Sequence, residues 1–257
     1  MSRYSHSQIQ QYFTCPFKYC MTKVEKIQPD LPDESLNLTL WTVVHQTLEE
    51  LYKKVGDMII PPLEYLTTYF TDWWDMEISK INKRNDREIF PEDIRKIFYN
   101  RWIEYIKYYY NAYKPFNQWI TMKTEENITF PIDENINFSW KIDRLDIDWD
   151  VLTIVDYKTN KALPKDNYDS IEDQIVLYGI WIKNDYWKKI NKIFWKVIYL
   201  HLQREYVIEI TDEKIEKVKD KYLNIAKEID KNLVKYQSWD KSAFPPKQNA
   251  FCDTCVF

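Results

Sequence analysis

Two carboxylates and a lysine form the clearest chemical group in the sequence. Asp156 and Lys158 come at the end of the largely apolar run 151–158, and Asp143 lies in the alternating segment before it. Side chains two apart in a strand point to the same face of a sheet, so Asp156 and Lys158 share a face. Because a short connection at 148–150 would make the two strands a hairpin, the pattern predicts all three side chains in one small pocket.

This combination of side chains suits divalent-metal chemistry. Two carboxylates together with water molecules hold Mg²⁺, which keeps much of its water shell in proteins. The metal lowers the pKa of a bound water and neutralises the charge of a phosphate, and a lysine beside it would position or deprotonate the attacking water. The alternative is a pair of surface salt bridges on a hairpin, because Asp-x-Lys alone is common by chance.

Hydrophobic periodicity indicates which elements position these residues. Helical spacing predicts helices from the capping box at Ser5 to about Cys15, at about 37–55, 62–82, 91–113 and 169–184, and from Thr211 or Asp212 onward. Alternating or short apolar runs predict two strands within 118–132 and single strands at 136–147, 151–158, 192–201 and 204–210. Helices around a mixed sheet indicate an α/β or α+β enzyme core. We expect one domain over residues 1–257, with an inserted helical lobe at about 60–115.

Composition excludes several classes of protein. The 257 residues carry a net charge of -4, and 45% of them are hydrophobic and 17% aromatic, which argues against intrinsic disorder. No stretch approaches the ~20 apolar residues of a membrane span, and residues 1–11 lack an apolar signal core. We therefore expect a cytoplasmic protein without a membrane partner. Mild acidity excludes a histone-like polycation but not an enzyme acting on nucleic acid.

The four cysteines lie near the two ends of the chain, at 15–20 and 252–255. A secreted disulfide scaffold would be shorter and denser in cysteine. The clustering therefore predicts a metal or cluster site that ties the ends together, formed by Cys15, Cys20, Cys252 and Cys255. The alternative is a set of buried, inert thiols, and for Cys20 alone that alternative is favoured.

Six short motifs occur in an order that resembles the PD-(D/E)XK nuclease superfamily. Within it, the chain is similar to the RecB-like exonucleases, which include CRISPR-adaptation nucleases and AddB/RecB repair domains. The matching segments are Ser5-x-Ser7-x-Ile9-x-x-Tyr12-x-x-Cys15-Pro16, Val44-His45-x-x-Leu48-Glu49, Ile142-Asp143-Arg144-Leu145-Asp146, Val155-Asp156-Tyr157-Lys158-Thr159, Gln174-x-x-x-Tyr178 and Cys252-x-x-Cys255. Each motif is weak alone, and their order makes the match specific. The resemblance implies a restriction-endonuclease-like core.

The resemblance also implies roles for single residues. His45, Asp143, Asp156 and the carbonyl of Tyr157 would bind Mg²⁺ or Mn²⁺, and Lys158 would activate water. Without the resemblance, His45 reads as an ordinary histidine of a helix.

Four further residues would contact DNA according to the same resemblance. Gln174 and Tyr178 would lie beside the active site, and Arg144 and Lys141 could hold phosphates, as their charge permits. Helix packing is the alternative for Gln174 and Tyr178.

The cysteine group departs from the family pattern. Similar proteins with an iron–sulfur cluster use one N-terminal and three C-terminal cysteines, whereas this chain ends two residues after Cys255. Cys20 could complete a [4Fe–4S] ligand set with Cys15, Cys252 and Cys255, or the sequence could lack a few residues. Zinc on the same thiolates is a further alternative. The cluster would join the ends of the chain and take no part in cutting DNA.

The expected function is hydrolysis of phosphodiester bonds in DNA, by an exonuclease acting on single strands or duplex ends, in repair, recombination or CRISPR adaptation. Alternatives are a structure-specific endonuclease and a catalytically silent DNA-binding or scaffold module. A small iron–sulfur electron carrier is disfavoured, because four cysteines at the ends of a large chain do not form a compact redox fold. The sequence holds no Walker A motif, so a helicase or CRISPR-adaptation partner would be a separate chain.

The ratio of glycine to tryptophan is abnormal. The chain has 2 glycines and 11 tryptophans, whereas a usual content of about 7% would give roughly 18 glycines. The family prefers glycine or small residues where this chain has Trp41 and Trp140, and Trp149 and Trp239 fall in turn or loop segments. One hypothesis is that these four positions are glycines encoded by UGA and written as tryptophan. The alternative is a protein rich in tryptophan.

Overall fold

A mixed sheet of six strands lies at the centre of the described residues, which in this computed structural model are 1–27, 36–159, 168–186, 190–250, 252–255 and 257. The strands are β1 (Ser2–Tyr4), β2 (Ile120–Asp133), β3 (Ile136–Asp148), β4 (Val151–Lys158), β5 (Lys192–Tyr199) and β6 (Arg204–Glu209). The helices are α1 (His6–Thr14), α2 (Pro16–Tyr19, continued by a π-helical turn at Cys20–Val24), α3 (Leu36–Gly56), α4 (Leu63–Asn85), α5 (Glu92–Tyr113), α6 (Tyr168–Tyr186) and α7 (Asp212–Gln237).

Pairing along β3 leaves a gap in the sheet. β2 runs antiparallel to β3 along nearly its whole length and so occupies one edge of it. On the other edge, β1 pairs in parallel with residues 136–138 and β4 pairs antiparallel with residues 144–148. In the described part of the chain, residues 139–143 of β3 therefore have no strand partner on that edge. Asp143 lies at the end of this gap. Beyond β4 the sheet continues with β5, parallel, and β6, antiparallel.

Helices cover both faces of the sheet. One core joins α1, α6 and α7 to the sheet and contains Leu152, and the other joins α3, α4 and α5 and contains Val155 and Tyr157. Side chains alternate between the two faces along a strand. Asp156 and Lys158 are an even number of residues from Leu152 in β4, so their side chains point to the same face of the sheet, which α6 covers.

Most predicted elements are confirmed. The strand at 151–158 and the helices at 37–55, 91–113 and 169–184 agree with the structure to within about two residues at each end. The capping box is present, since Ser5 Oγ accepts from the N–H of Gln8 and Gln8 Oε1 accepts from the N–H of Ser5. The mixed sheet with flanking helices confirms the fold class. No helix within the described ranges is long and apolar enough to cross a bilayer.

Two parts of the sequence prediction need correction or lie outside the described residues. The two strands predicted within 118–132 are one strand, β2, because β3 is long enough to pair along nearly all of it. Two register shifts, between Thr121 and Lys123 and between Pro131 and Asp133, interrupt its alternation. The strand β1 was not predicted, since three residues are too short to show a period. The sequence between the first two predicted helices, residues 26–35, is typical of a loop, and residues 28–35 of it lie outside the described residues.

Candidate active site

A cleft of about 710 Å³ opens at the gap along β3. Asp143, Asp156 and Lys158 line it from the sheet, and Gln174 and Tyr178 line it from α6. The first residues of α1 with Arg3 before them, Trp41 of α3, and the middle parts of β2 and β3 complete the lining. The predicted hairpin is confirmed, with β3 and β4 paired antiparallel and joined by two residues. It brings the two predicted aspartates and the lysine to one cleft.

Asp143 is held by main-chain and side-chain donors. Its Oδ2 accepts a hydrogen bond of 2.8 Å from the N–H of Tyr157, and its Oδ1 lies 3.4 Å from Nδ1 of His45. Burial favours the neutral carboxyl, but His45, the Tyr157 amide and the charge of Lys158 outweigh it and lower the pKa of Asp143. The carboxylate therefore stays ionised in a nearly buried position, where it can serve as a ligand.

His45 reaches the same point from α3, where it is 3% exposed. Its Nδ1 lies 3.1 Å from Oε1 of Glu125, a residue of β2. Burial disfavours the imidazolium, but the carboxylates of Asp143 and Glu125 outweigh that cost and raise the pKa of His45 to about 9. The second ring nitrogen, Nε2, is buried without a hydrogen-bond partner. The histidine that sequence alone would treat as structural therefore lies among the acidic groups of the cleft.

Asp156 and Lys158 form an ion pair along one face of β4. Their Oδ2 and Nζ atoms lie 2.7 Å apart. Burial raises the pKa of Asp156, and the negative charge of Asp143 adds to this, while Lys158 opposes both. Burial would lower the pKa of Lys158, but Asp156 and Asp143 raise it above its ordinary value. Lys158 is therefore protonated at neutral pH in this arrangement.

The donors of the cleft fit a divalent cation. One ligand atom each from His45, Glu125 and Asp143 lie within 4.8 Å of one another. Imidazole nitrogen and carboxylate oxygen are ligands that Mn²⁺ accepts, and carboxylate oxygen suits Mg²⁺. The carboxyl of Asp156 is next to this group, and its pKa is raised by burial and by the negative charge of Asp143. The Tyr157 carbonyl stays a prediction, since its N–H is the group that contacts Asp143.

Three predicted DNA-contacting residues surround this centre. Gln174 and Tyr178 line the cleft. The Tyr178 hydroxyl donates to the carbonyl of Lys141 at 3.3 Å, and burial raises the pKa of this phenol far above its ordinary value. Lys141 has a half-exposed side chain, and its Nζ lies 2.5 Å from Oε2 of Glu125. Contact of these residues with DNA stays a prediction.

Arg144 does not lie where the resemblance predicted. It is 1% exposed, because its strand position directs it away from Asp143 and into the layer of α3 and α5. Its guanidinium contacts Asp146 at 2.9 Å, the hydroxyls of Tyr109 and Tyr157 at 2.6 and 2.7 Å, and the ring of Tyr52. A side chain enclosed in this way cannot reach a phosphate. The predicted phosphate contact of Arg144 is therefore wrong, and the residue belongs to a buried polar network.

The two ends of the chain that carry the cysteines meet in the fold, but no group of cysteine ligands is found among the described residues. Nζ of Lys247 and the amide of Asn249 donate to the carbonyls of Phe13 and Thr14, which brings the C-terminal segment beside Cys15. Cys20 is 1% exposed within the core, as the inert alternative expects. The one group of three potential ligands found in those residues contains no cysteine. The iron–sulfur cluster and the zinc alternative stay predictions.

Glu125 is the functional candidate that sequence reasoning missed. It lies beside Glu126 in a polar stretch of β2 that reads as a solvated face. Its carboxylate is only 7% exposed, and its backbone has a φ of 49°. No signal in the sequence distinguishes Glu125 from Glu126, because the difference arises from this local backbone conformation.

Comparison with known proteins agrees with this geometry. The superfamily model of PD-(D/E)XK nucleases matches residues 3–257. A solved structure from Eubacterium rectale, described as that of a "putative exonuclease", is similar at a TM-score of 0.52 and 15% identity, over 98% of this chain and 86% of that one, which supports the fold. No curated protein matches the chain at a significant level. Because the family match spans nearly the whole sequence, the chain belongs to the PD-(D/E)XK nuclease superfamily.

Proposed function

We propose that the protein is a metal-dependent deoxyribonuclease that degrades DNA from its ends. The observation that carries this proposal is the meeting of Asp143, Asp156 and Lys158 in one cleft, with His45 in contact with Asp143. Membership of the nuclease superfamily supports phosphodiester hydrolysis in general. The similar structure is described as that of an exonuclease, which supports action at the ends of DNA.

Each residue of the centre has a task in this proposal. His45, Asp143 and Asp156 would hold Mg²⁺ or Mn²⁺, which would supply the charge that neutralises the phosphate and lowers the pKa of a bound water. The Tyr157 amide already holds the Asp143 carboxylate in position, so orienting it would cost little free energy when a metal binds.

Lys158 acts as a cation in this proposal. Because Asp156 and Asp143 raise its pKa, it donates hydrogen bonds to the attacking water or the scissile phosphate and does not serve as a neutral base. The sequence left open whether Lys158 positions or deprotonates the water, and its raised pKa supports the positioning task. Charge stabilisation of this kind is among the largest contributions that enzymes make to catalysis.

The sides of the cleft fit a nucleic acid strand. Arg3, Ser7 and Thr129 lie at its exposed border, and Gln174 and Tyr178 lie closer to the metal site. Hydroxyl, amide and guanidinium groups are the usual donors to phosphate oxygens. These contacts would position a strand with its phosphate toward Lys158. Action in repair, recombination or CRISPR adaptation, with a separate helicase or adaptation partner, stays a prediction from the resemblance.

The test uses linear and circular DNA. The full chain, purified without oxygen, is incubated with 5′- or 3′-labelled linear single and double strands and with closed circles of both kinds, in Mg²⁺, Mn²⁺ or EDTA. We expect metal-dependent release of short products from linear DNA, with circles intact. Cutting of circles would indicate an endonuclease, and binding of DNA without cutting would indicate a silent module.

A further inference from the structure

Glu125 has a nearly buried carboxylate to which the proposed function gives no task. Its Oε1 lies 3.1 Å from Nδ1 of His45, and Oδ1 of Asp143 lies 3.4 Å from the same nitrogen. Its Oε2 lies 2.5 Å from Nζ of Lys141. The carboxylate is thus one of three groups that meet at a single point between α3, β2 and β3.

The backbone at Glu125 has an unusual conformation. Its φ is 49°, although Thr124 and Glu126 on either side remain paired with Arg144 and Ile142 of β3. A left-handed conformation is unfavourable at a non-glycine residue and persists where the surroundings require it. Here it accompanies a carboxylate that is 7% exposed, whereas the neighbouring Glu126 is 46% exposed.

The cation that faces Glu125 without a metal is His45, which must become neutral to bind a metal. Glu125, Asp143 and Asp156 place three carboxylates together in a nearly buried pocket. Buried charges are stable when they are paired or bind a metal. Lys141 is half exposed and Lys158 is already paired with Asp156. We propose that Glu125 is a third carboxylate ligand of the metal centre, shared with His45 and Asp143.

This inference rests on the proposed function, and metal binding tests the two separately. Binding of Mn²⁺ to the full chain is measured by titration calorimetry and by the EPR signal of free Mn²⁺. We expect Glu125→Gln to weaken Mn²⁺ binding at least about 10-fold. The matched control Glu126→Gln should bind Mn²⁺ within about twofold of the unchanged protein, because that side chain is exposed.

Asp143→Asn distinguishes the possible failures. Mn²⁺ binding that is lost in Asp143→Asn but unchanged in Glu125→Gln would overturn the role of Glu125 and leave the nuclease proposal standing. Binding that neither substitution weakens would overturn both. Should the circular dichroism of Glu125→Gln show misfolding, Glu125→Asp takes its place, with at least threefold weaker binding expected and unchanged affinity contradicting the proposal.

A separate observation concerns the tryptophans at turns. The β3–β4 hairpin turns through Trp149 and Asp150, between the paired residues Asp148 and Val151. Trp149 has a φ of 54° and is 93% exposed. Two-residue hairpin turns of the favoured types require a positive φ at this position, where glycine, asparagine and aspartate predominate. A bulky aromatic residue there is an outlier.

Trp239 occupies the equivalent special position at the end of α7. Its N–H donates to the carbonyl of Tyr236 at 3.0 Å, and the N–H of Asp240 donates to the carbonyl of Lys235 at 3.1 Å. These two bonds define a Schellman motif, whose left-handed residue is usually glycine. Trp239 has a φ of 70° and is 85% exposed. Its indole is therefore exposed to solvent, while its backbone adopts a left-handed conformation that glycine adopts most readily.

The other two anomalous tryptophans face the cleft. The ring of Trp41 lies 4.1 Å from that of His45, and the ring of Trp140 lies 5.0 Å from that of Tyr178. Both line the cleft. Glycine at these positions would widen the approach to Asp143.

All eight positive-φ residues within the described ranges are other than glycine, and neither glycine has a positive φ. A fold that places residues in this region normally uses glycine for several of them. We infer that Trp149 and Trp239, with Trp41 and Trp140, are glycines in the native protein, specified by UGA codons.

The codons of the gene and the mass of the native protein test this inference directly. We expect UGA at all four positions, and peptides of the protein from its own cells should have the mass of glycine at residues 149 and 239. UGG codons at these two positions, or tryptophan masses there, would overturn it.

The stability of the chain with tryptophan at these positions gives an independent measurement. Trp149→Gly and Trp239→Gly should each raise the Tm by about 3 °C, because they relieve a strained backbone at exposed sites. The control Trp102→Gly should lower the Tm, since Trp102 is 3% exposed in the core. Lower Tm values for both turn variants would contradict the inference.

Discussion

The N–H of Tyr157 donates a 2.8 Å hydrogen bond to Oδ2 of Asp143. The main-chain pairing of β3 with β4 ends at Arg144 and Val155, one residue from Asp143 and two residues from Tyr157. The Asp143 side chain therefore continues the contact between the strands where the main chains no longer pair. Its second oxygen remains directed at His45. The position of the carboxylate is thus fixed by the sheet itself before a metal binds.

Asp143→Asn is expected to remove activity without unfolding the protein. The asparagine oxygen can still accept from the Tyr157 amide, but it carries no charge for the metal. We expect metal-dependent DNA hydrolysis to fall at least about 100-fold while the Tm stays within a few degrees. The control Asp148→Asn, at the exposed end of β3, should keep full activity. A normal rate in Asp143→Asn would exclude it as a ligand.

Gln174→Ala is expected to weaken DNA binding more than it slows hydrolysis. Gln174 lines the cleft together with Asp156 but is not one of the three potential metal ligands His45, Glu125 and Asp143. We predict a rise in KM of about 3- to 10-fold with kcat reduced less than twofold, as for loss of one uniform binding contact. Asn184→Ala, exposed on the same helix, is the control. An unchanged KM would show that Gln174 does not contact DNA and serves only in helix packing.

Arg144→Met is expected to destabilise the protein strongly, because it leaves Asp146 buried without its cation. Both side chains are almost fully enclosed and 2.9 Å apart. Removing one partner of such a pair costs about 3–5 kcal/mol of the free energy of unfolding.

The double variant Arg144→Met with Asp146→Leu separates this network from DNA binding. It should recover part of the stability in urea unfolding, since neither charge is then left alone. A stable Arg144→Met with weakened DNA affinity would restore the phosphate role that the structure excludes.

His6 is expected to make the fold sensitive to mild acid. Burial, together with the charges of Lys158 and Lys221, lowers the pKa of His6 to about 4. Its Nδ1 lies 2.7 Å from the hydroxyl of Tyr222. The folded protein therefore keeps His6 neutral, while the unfolded chain takes up a proton below about pH 6.5. Stability from this group is present above pH 6.5 and is lost as the pH falls toward 4.

Urea unfolding at pH 7 and pH 4.5 measures this effect. Between these values the unchanged protein should lose about 2 kcal/mol more stability than His6→Gln, which cannot titrate. Other acidic groups affect both proteins alike, so the difference isolates His6. Equal losses in the two proteins would show that His6 is protonated freely in the folded state.

The sequence predicted the centre of the site because its parts are local. Asp156 and Lys158 share a face of one strand, and a two-residue connection returns the chain to Asp143, so period and turn length determine their meeting. His45 needed the family resemblance, since nothing in a helix of 21 residues indicates which strand it will face.

Glu125 and Arg144 show where such reasoning ends. The inward turn of Glu125 depends on one left-handed residue in the middle of a strand, which propensity does not predict. Arg144 follows Asp143 directly, and neighbouring residues of a strand point to opposite faces. The charge of Arg144 suggested a phosphate contact, whereas its position in the strand directs its side chain to the tyrosines on the opposite face. The strand position of Arg144 therefore predicts its surroundings better than its charge does.

The rate of DNA hydrolysis by Lys158→Ala tests the proposed nuclease most directly. The full chain and this variant are compared on labelled linear single-stranded DNA in excess Mn²⁺, beside Lys192→Ala, which changes an exposed lysine at the start of β5. We predict metal-dependent cutting by the unchanged protein and Lys192→Ala, and a rate at least about 100-fold lower for folded Lys158→Ala. Equal rates for all three proteins would contradict the assignment of this cleft as the active site.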